Sequence, residues 1–148
     1  MKRIKVFEII AVLVMLSLTV LAGISCGKAQ ADTTQGPEGI TWVLKSYGDP
    51  ANLTQAVAGK EVTLTFNKEK GEVSGNSGVN GYGSNYVVSG NQLIMTEMMH
   101  TMMASTNEAL NNQENAFFKI LGSAKSYNIE GERLTITGTV GTLVFSQK

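Results

Sequence analysis

Apolar and polar residues alternate over short segments from Ile40 to the end of the chain, and glycine-containing turns separate these segments. The clearest segment places Val62, Leu64 and Phe66 on one side and polar residues on the other, which is the period of a β-strand with one buried face. The polar sequence 67–71 that follows it predicts a hairpin. Repeated along the chain, this pattern predicts a mainly β domain of about eight short strands.

One stretch between the predicted strands has the period of an α-helix. Its apolar face is formed by three residues, Leu110, Phe117 and Leu121. Two capping-box sequences, at 105–108 and 111–114, leave two possible starts for this helix, and Gly122 is expected to end it. A single helix among many strands predicts an α+β domain in which the helix packs on the sheet.

The first 25 residues have the layout of an export signal. Lys2, Arg3 and Lys5 precede an apolar run from residue 9 to residue 24, and Cys26 follows that run directly. A cysteine at this point resembles the lipidation site of bacterial lipoproteins, although Gly23 stands where leucine is usual. We therefore predict a lipoprotein signal over 1–25, with a lipid-anchored membrane contact at Cys26. The alternative is cleavage after Ala31, which would release a secreted chain.

The residues between the signal and the first strand are small and polar, and 26–38 is predicted to be a flexible tether. Without residues 1–25 the chain keeps 9 basic and 11 acidic residues, so it is slightly acidic. A chain with no basic excess is not expected to bind nucleic acid. No cysteine follows Cys26, so core packing alone must hold the domain from 39 to 148 together.

Five glycines lie close together, at Gly71, Gly75, Gly78, Gly81 and Gly83. A phosphate-binding loop leads into a helix whose amides face the anion, whereas this block leads into a predicted strand. The glycines are therefore expected to serve tight turns with positive φ.

Five of the seven methionines occur within nine residues, around the only histidine of the chain: Met95, Met98, Met99, Met102 and Met103, with His100 among them. We expect these methionines to pack in the core, because methionine is apolar and fills irregular gaps. The alternative is a Cu(I) site, since thioethers and imidazole suit that ion.

The residues do not favour catalysis. His100 has apolar neighbours, no Gly-x-Ser-x-Gly sequence is present, and nothing in the sequence brings two carboxylates together. We therefore predict no catalytic residues, no cofactor and no metal site, and interpret His100 as a structural or surface residue.

Two blocks of sequence resemble the signature of the META family, which includes the HslJ heat-shock proteins. The blocks are Gly75-Asn76-Ser77-Gly78-Val79-Asn80 and Thr101-Met102-Met103-Ala104-Ser105, and weaker similarity extends over 40–146. The resemblance implies a compact antiparallel β-barrel-like domain with one short helix, in an exported or envelope protein. It implies no enzymatic residues.

The family's two cysteines, which are thought to form a disulfide, correspond here to Val79 and Ser105. The resemblance thus implies that these two side chains are neighbours in space without the bond. Taken together, the sequence predicts a non-catalytic envelope lipoprotein that binds a partner, such as an envelope protein, or supports envelope integrity under stress. The alternative is a carrier of a small ligand or of copper, using the barrel mouth or the Met95–Met103 cluster.

Overall fold

The computed structural model describes residues 36–148. The predicted signal 1–25 and the lipidation site Cys26 lie outside these residues. The described part contains nine strands and one helix (α1, Glu108–Gly122). The strands are β1 (Thr41–Asp49), β2 (Asn52–Gln55), β3 (Thr63–Asn67), β4 (Glu72–Asn76), β5 (Gly81–Ser89), β6 (Gln92–His100), β7 (Ala124–Glu130), β8 (Arg133–Gly138) and β9 (Thr142–Gln147). Within residues 36–148, no helix is long and apolar enough to cross a membrane.

Eight of the strands close into an antiparallel barrel. The order is β1-β3-β4-β5-β6-β7-β8-β9, and β9 pairs back with β1. Strand β1 has two partners on its other edge, because β3 pairs with Thr41–Val43 and β2 pairs with 46–49. Closure removes the free edges that an open sheet would expose. The predicted mainly β, barrel-like fold with one helix is confirmed.

The barrel interior is filled by the residues that the alternation predicts. Val62, Leu64 and Phe66 are each at most 1% exposed. The other fully buried large side chains include Trp42, Leu93, Phe117, Leu121, Leu134, Ile136, Leu143 and Phe145. The Trp42 indole Nε1 donates a hydrogen bond to the Pro37 carbonyl at 2.9 Å, so its polar atom is satisfied in the core.

Two residues before the first strand, Pro37 and Glu38, contact the barrel. Pro37 is buried, and Glu38 forms a single parallel bridge with Phe66. The Glu38 carboxylate also lies 3.5 Å from the Tyr86 hydroxyl. The chain therefore enters the barrel at the end that carries the 67–71 and 89–91 turns.

The helix starts at a residue that neither capping box predicts. Asn107 is the N-cap, and its side chain accepts hydrogen bonds from the backbone of Ala109 and Leu110. Both predicted caps are engaged elsewhere, since the Asn111 side-chain amide bonds the Ser105 backbone through its oxygen at 3.2 Å and its nitrogen at 2.8 Å. Gly122 is the last helical residue, as expected.

The helix packs against four strands of the barrel, β1, β6, β8 and β9. Strands β6 and β7 pair only at Gln92 and Ser126 within the described residues. The face of α1 that is buried consists of Leu110, Gln113, Phe117, Ile120 and Leu121. Strand β2 is not predicted by the sequence, because its mostly exposed residues carry no apolar alternation.

Candidate functional site

The first signature block forms a tight turn at one end of the barrel. Ser77 donates its backbone N–H to the Asn80 carbonyl at 2.8 Å, and the Asn76 side chain accepts from Gly78 N at 2.7 Å. Gly78 has φ 93°, which favours glycine. Of the five clustered glycines, Gly71 and Gly78 alone have positive φ. The prediction of turn glycines therefore holds only for these two.

Gly75 is required for a different reason. It lies within β4, where a Cβ would overlap the Thr63 carbonyl oxygen. Close approach of another backbone is the second common use of glycine in a strand. The neighbouring Tyr82 hydroxyl donates to the same Thr63 carbonyl at 2.8 Å, so the strands meet here at short range.

Asn80 joins the two signature blocks. It is 2% exposed, and its side-chain oxygen accepts from Thr101 Oγ1 and from Met103 N, each at 2.7 Å. Its side-chain nitrogen donates to the Met103 carbonyl at 3.0 Å and to both carboxylate oxygens of Glu114, at 2.9 and 3.0 Å. One buried amide thus fixes the 101–103 backbone to the 76–80 turn and to the helix.

Glu114 completes this cluster from α1. Its carboxylate also accepts from the Ser77 hydroxyl and from Asn80 N at 3.1 Å. All these donors are neutral, and among residues 36–148 the ion pair that forms is a distant one, Lys148 with Glu61. Buried polar groups that are fully hydrogen-bonded rigidify a structure. We call this cluster of Ser77, Asn80, Thr101 and Glu114 the structural pin, because it fixes the 76–80 turn, the 101–103 backbone and the helix to one another.

Gln113 lies next to the pin and is only partly satisfied. Its side-chain oxygen accepts from Val57 N at 2.6 Å. Its Nε2 atom is the one buried side-chain polar atom in the described part of the chain that has no hydrogen-bond partner. The alternating pattern gives no signal for this residue, because a glutamine on a helical face is usually exposed.

The structure separates the methionines into two groups. Met95 is buried and Met98 packs partly against the core. Met99, Met102 and Met103 are 73%, 94% and 61% exposed. The expectation that the whole cluster packs in the core is wrong for these three residues.

A bulge in β6 accounts for this separation. Asn85 pairs with Thr96 and Gly83 pairs with Met99, so two residues of β6 lie opposite Ser84 alone. Glu97, in the bulge, has φ 54°, an uncommon conformation for a residue other than glycine. The bulge shifts the alternation, and Met99 then points outwards from the barrel.

Two shallow depressions flank the methionines. The first, of about 210 Å³, has Gly83 among its lining residues and is bordered by Glu72, Asn85, Glu97 and Met99. Its Glu97 carboxylate accepts from the Asn85 side chain at 2.7 Å. The second, of about 230 Å³, is lined by Lys60, Gly78, Val79, Met103, Ala104, Ser105 and Leu110. Val79 and Ser105 both line this second depression, and the expectation that they lie within disulfide distance stays a prediction.

His100 stacks on Phe118, with ring centroids 4.6 Å apart and an angle of 18° between the rings. Its Nδ1 lies 2.8 Å from the Thr101 carbonyl oxygen, which can only accept a hydrogen bond. Nδ1 is therefore the donor in this contact, and in the neutral imidazole Nε2 is the nitrogen that has a lone pair. Among residues 36–148, no three His, Cys, Asp or Glu side chains lie close enough together to hold a metal ion.

The comparisons with known proteins agree with this architecture. The profile of the META domain matches residues 35–148, and no curated protein is significantly similar in sequence. An NMR structure of a protein from Burkholderia xenovorans is 20% identical, with a TM-score of 0.63 over 76% of this chain and 83% of that one. A DUF4847 family protein from Bacteroides vulgatus is 13% identical, with a TM-score of 0.55 over 74% and 93%. At these identities the structures show a shared fold only. Because the META profile covers the whole described domain, the chain belongs to the META domain family.

Proposed function

We propose that this protein is a non-catalytic binding protein of the bacterial cell envelope, anchored by lipid on Cys26. The observation that carries the proposal is the contrast between a filled barrel and an exposed apolar surface. Aromatic and aliphatic side chains fill the interior of the barrel formed by residues 36–148. Three methionines are exposed at one end instead, and exposed apolar patches are typical of interaction sites.

The anchor follows from the sequence before the domain. The basic and apolar segments that end at Cys26 are typical of an exported lipoprotein. Several acyl chains on one residue give durable membrane attachment, at about 0.8 kcal/mol for each buried CH₂ group. The nine residues 27–35 would span at most about 30 Å when extended, so the domain would stay close to the membrane.

Metabolic labelling tests the anchor. Cells that express the wild-type chain or Cys26→Ser are grown with radioactive palmitate, and both chains are followed by membrane fractionation. We expect label and membrane association only in the wild type. Equal labelling of both chains would exclude Cys26 as the lipid site. A soluble chain that begins at Asp32 would show cleavage after Ala31 instead.

Affinity capture tests the binding role. The anchored chain is cross-linked in intact cells, and its partners are compared with those of a Met99→Ser, Met102→Ser, Met103→Ser variant. A binding protein that uses this surface should keep its anchor in the variant and lose its partners. Identical partners for both chains would show that the methionines are not the binding surface.

A copper carrier is the second candidate. It is favoured by the free Nε2 of His100, the nitrogen that a neutral imidazole offers to a metal, and by thioethers exposed on the same segment. The test is a Cu(I) titration of the wild type and of a Met98→Leu, Met102→Leu variant, which keeps the apolar volume and removes two thioethers. Equal affinity of the two proteins would eliminate this candidate.

A further inference from the structure

We propose that residues 99–103, together with Glu72 and Glu97, form a docking surface for a protein segment that carries basic side chains next to apolar ones. This surface is called the methionine surface below. The inference deepens the proposed binding role and rests on it, because it names the chemistry of the partner.

The exposed apolar residues of the described domain are concentrated in one region. Six large hydrophobic side chains are at least half exposed, and five of them belong to the β5–β6 hairpin or to the segment that follows it: Val87, Ile94, Met99, Met102 and Met103. Val87 and Ile94 are direct cross-strand neighbours on the outer face of that hairpin. Single exposed apolar residues need no explanation, whereas three methionines exposed within the five residues 99–103 do.

The backbone of the methionine surface is held firmly, although its side chains are free. Thr101 N donates to the Gly81 carbonyl at 3.0 Å, and the Asn80 side chain bonds both polar backbone atoms of Met103. A fixed backbone lowers the entropy lost when a partner binds. The methionine side chains can still adapt, because they are unbranched and adopt many conformations. This combination suits a surface that accepts apolar side chains of varied shape.

The charges beside Met99 define the partner further. Glu72 and Glu97 border the same depression as Met99, and no lysine or arginine lines it. Within residues 36–148 neither carboxylate forms an ion pair, since the pair that does form joins Lys148 and Glu61. Two carboxylates without a cation at the border of an apolar surface favour a partner that supplies lysine or arginine.

The same charges argue against two other occupants. A bacterial membrane surface carries anionic lipids, which would repel these carboxylates. A second copy of the chain, bound face to face around a two-fold axis, would place Glu72 and Glu97 of both copies in one interface. Like charges at an interface oppose association. A basic, partly apolar protein segment meets neither obstacle at the Met99 side of the surface. Lys60 lines the depression beside Met103, so we expect the basic side chains of the partner at the Met99 side.

Site-specific photo-cross-linking in living cells tests the inference. The photoreactive residue p-benzoylphenylalanine replaces Met102 in the full anchored chain, and replaces Val140 in a matched control. Val140 is also exposed, at 62%, but lies in the turn between β8 and β9. We expect Met102 to cross-link a peptide of another protein in which lysine or arginine lies close to apolar residues. Val140 should give no such product.

The carboxylates are tested in the same cells. Glu72→Gln with Glu97→Gln should lower the cross-linking yield at Met102 about threefold to tenfold, in the range of two partly exposed ion pairs. Glu69→Gln with Glu132→Gln removes equal charge from exposed turns and should leave the yield unchanged. Urea unfolding of each variant confirms that the fold is retained.

The inference is overturned if Met102 cross-links to lipid, to a second copy or to a segment without basic residues, or gives no protein product. It is also overturned if Val140 gives equal products, or if the cross-linking yield is the same with and without the carboxylates of Glu72 and Glu97. Palmitate labelling of the same cells separates the two proposals. Normal labelling without cross-links means that the methionine surface fails while the anchor stands. Cross-links from a chain without lipid mean the reverse.

Discussion

Met95 and Met102 lie seven residues apart in the chain, and they differ in solvent exposure. Met95 is 8% exposed and packs in the barrel core, whereas Met102 is 94% exposed. Between them lie the bulge at Glu97 and the end of β6. The difference shows that hydrophobicity alone does not decide burial. A bulge that shifts the side-chain alternation, and a buried asparagine that fixes the following backbone, decide which methionines reach the core.

The largest effect is expected from Asn80→Ala, because Asn80 holds the exposed stretch to the barrel. The substitution removes the side-chain hydrogen bonds to Thr101, to both backbone atoms of Met103 and to Glu114, which keeps only Ser77 and the residue 80 backbone as partners. The free energy of unfolding should therefore fall by about 3–5 kcal/mol. Urea unfolding measures the change. Asn76→Ala, which removes one exposed hydrogen bond in the same turn, is the control and should cost about 1 kcal/mol. Equal losses would show that Asn80 is not the pin.

Met95→Ala tests whether the buried methionine of the comparison contributes to the stability of the core. Truncation of a buried methionine should lower the free energy of unfolding by about 2–5 kcal/mol, through lost burial and the cavity that remains. Met95→Leu keeps the apolar volume and should cost less than about 1.5 kcal/mol. Thermal or urea unfolding distinguishes these results. A loss below 1 kcal/mol for alanine would mean that β6 does not pack as described.

The sequence predicts which residues fill the barrel core, but it does not predict the buried hydrogen-bond cluster around Asn80. Val62, Leu64 and Phe66 are buried as the alternation requires, because each strand lies between solvent and a single core. Asn80 and Gln113 are also buried, but each needs a hydrogen-bond partner that lies 20 or more residues away in the chain. Such partners leave no periodic signal. The resemblance to the META family marked the Asn80 block without explaining it.

The sequence predicts burial of the exposed methionines wrongly, for a related reason. A run of apolar residues indicates burial only where an opposing layer exists, and His100 ends the strand. The bulge at Glu97 also has no sequence signal, since a glutamate rarely adopts positive φ. The helix starts at neither predicted cap because Ser105 and Asn111 form hydrogen bonds with each other.

An engineered disulfide can link the segment after β6 to the 76–80 turn. Val79→Cys with Ser105→Cys, in a Cys26→Ser background, should form a disulfide under oxidising conditions, because both positions line one depression. The bond closes a loop of intermediate length and should stabilise the domain by about 2–4 kcal/mol. A shift in electrophoretic mobility that dithiothreitol reverses detects the bond. If both thiols still react with maleimide after oxidation, the two side chains are not neighbours.

A smaller effect on the free energy of unfolding is expected at high pH, from Tyr82 in β5. Burial raises the pKa of Tyr82 well above its usual value near 10. The unfolded chain therefore loses this proton first, so stability is complete below pH 10 and falls as the pH rises further. Tyr82→Phe should weaken that fall and cost about 1 kcal/mol at neutral pH through the lost bond to Thr63.

Urea unfolding between pH 8 and 11.5 gives both quantities. Burial also raises the pKa of Tyr86 and Tyr127, each with a contribution from Glu38, so some alkaline loss should persist in Tyr82→Phe. Tyr47→Phe is the control at a less buried tyrosine. An unchanged alkaline slope in Tyr82→Phe would mean that water reaches the phenol in the folded domain.

The smallest effect is expected from Met102→Ala, and this result gives the comparison its meaning. A side chain that is almost fully exposed contributes little to folding, so the free energy of unfolding should change by less than about 0.5 kcal/mol. The same substitution at Met95 is the matched control, since residue type and truncation are identical. If Met102→Ala destabilises the domain by more than 1 kcal/mol, the segment packs against the barrel in solution and cannot present a surface. If it is neutral, folding does not require a methionine at this position, and its exposed thioether is available for binding.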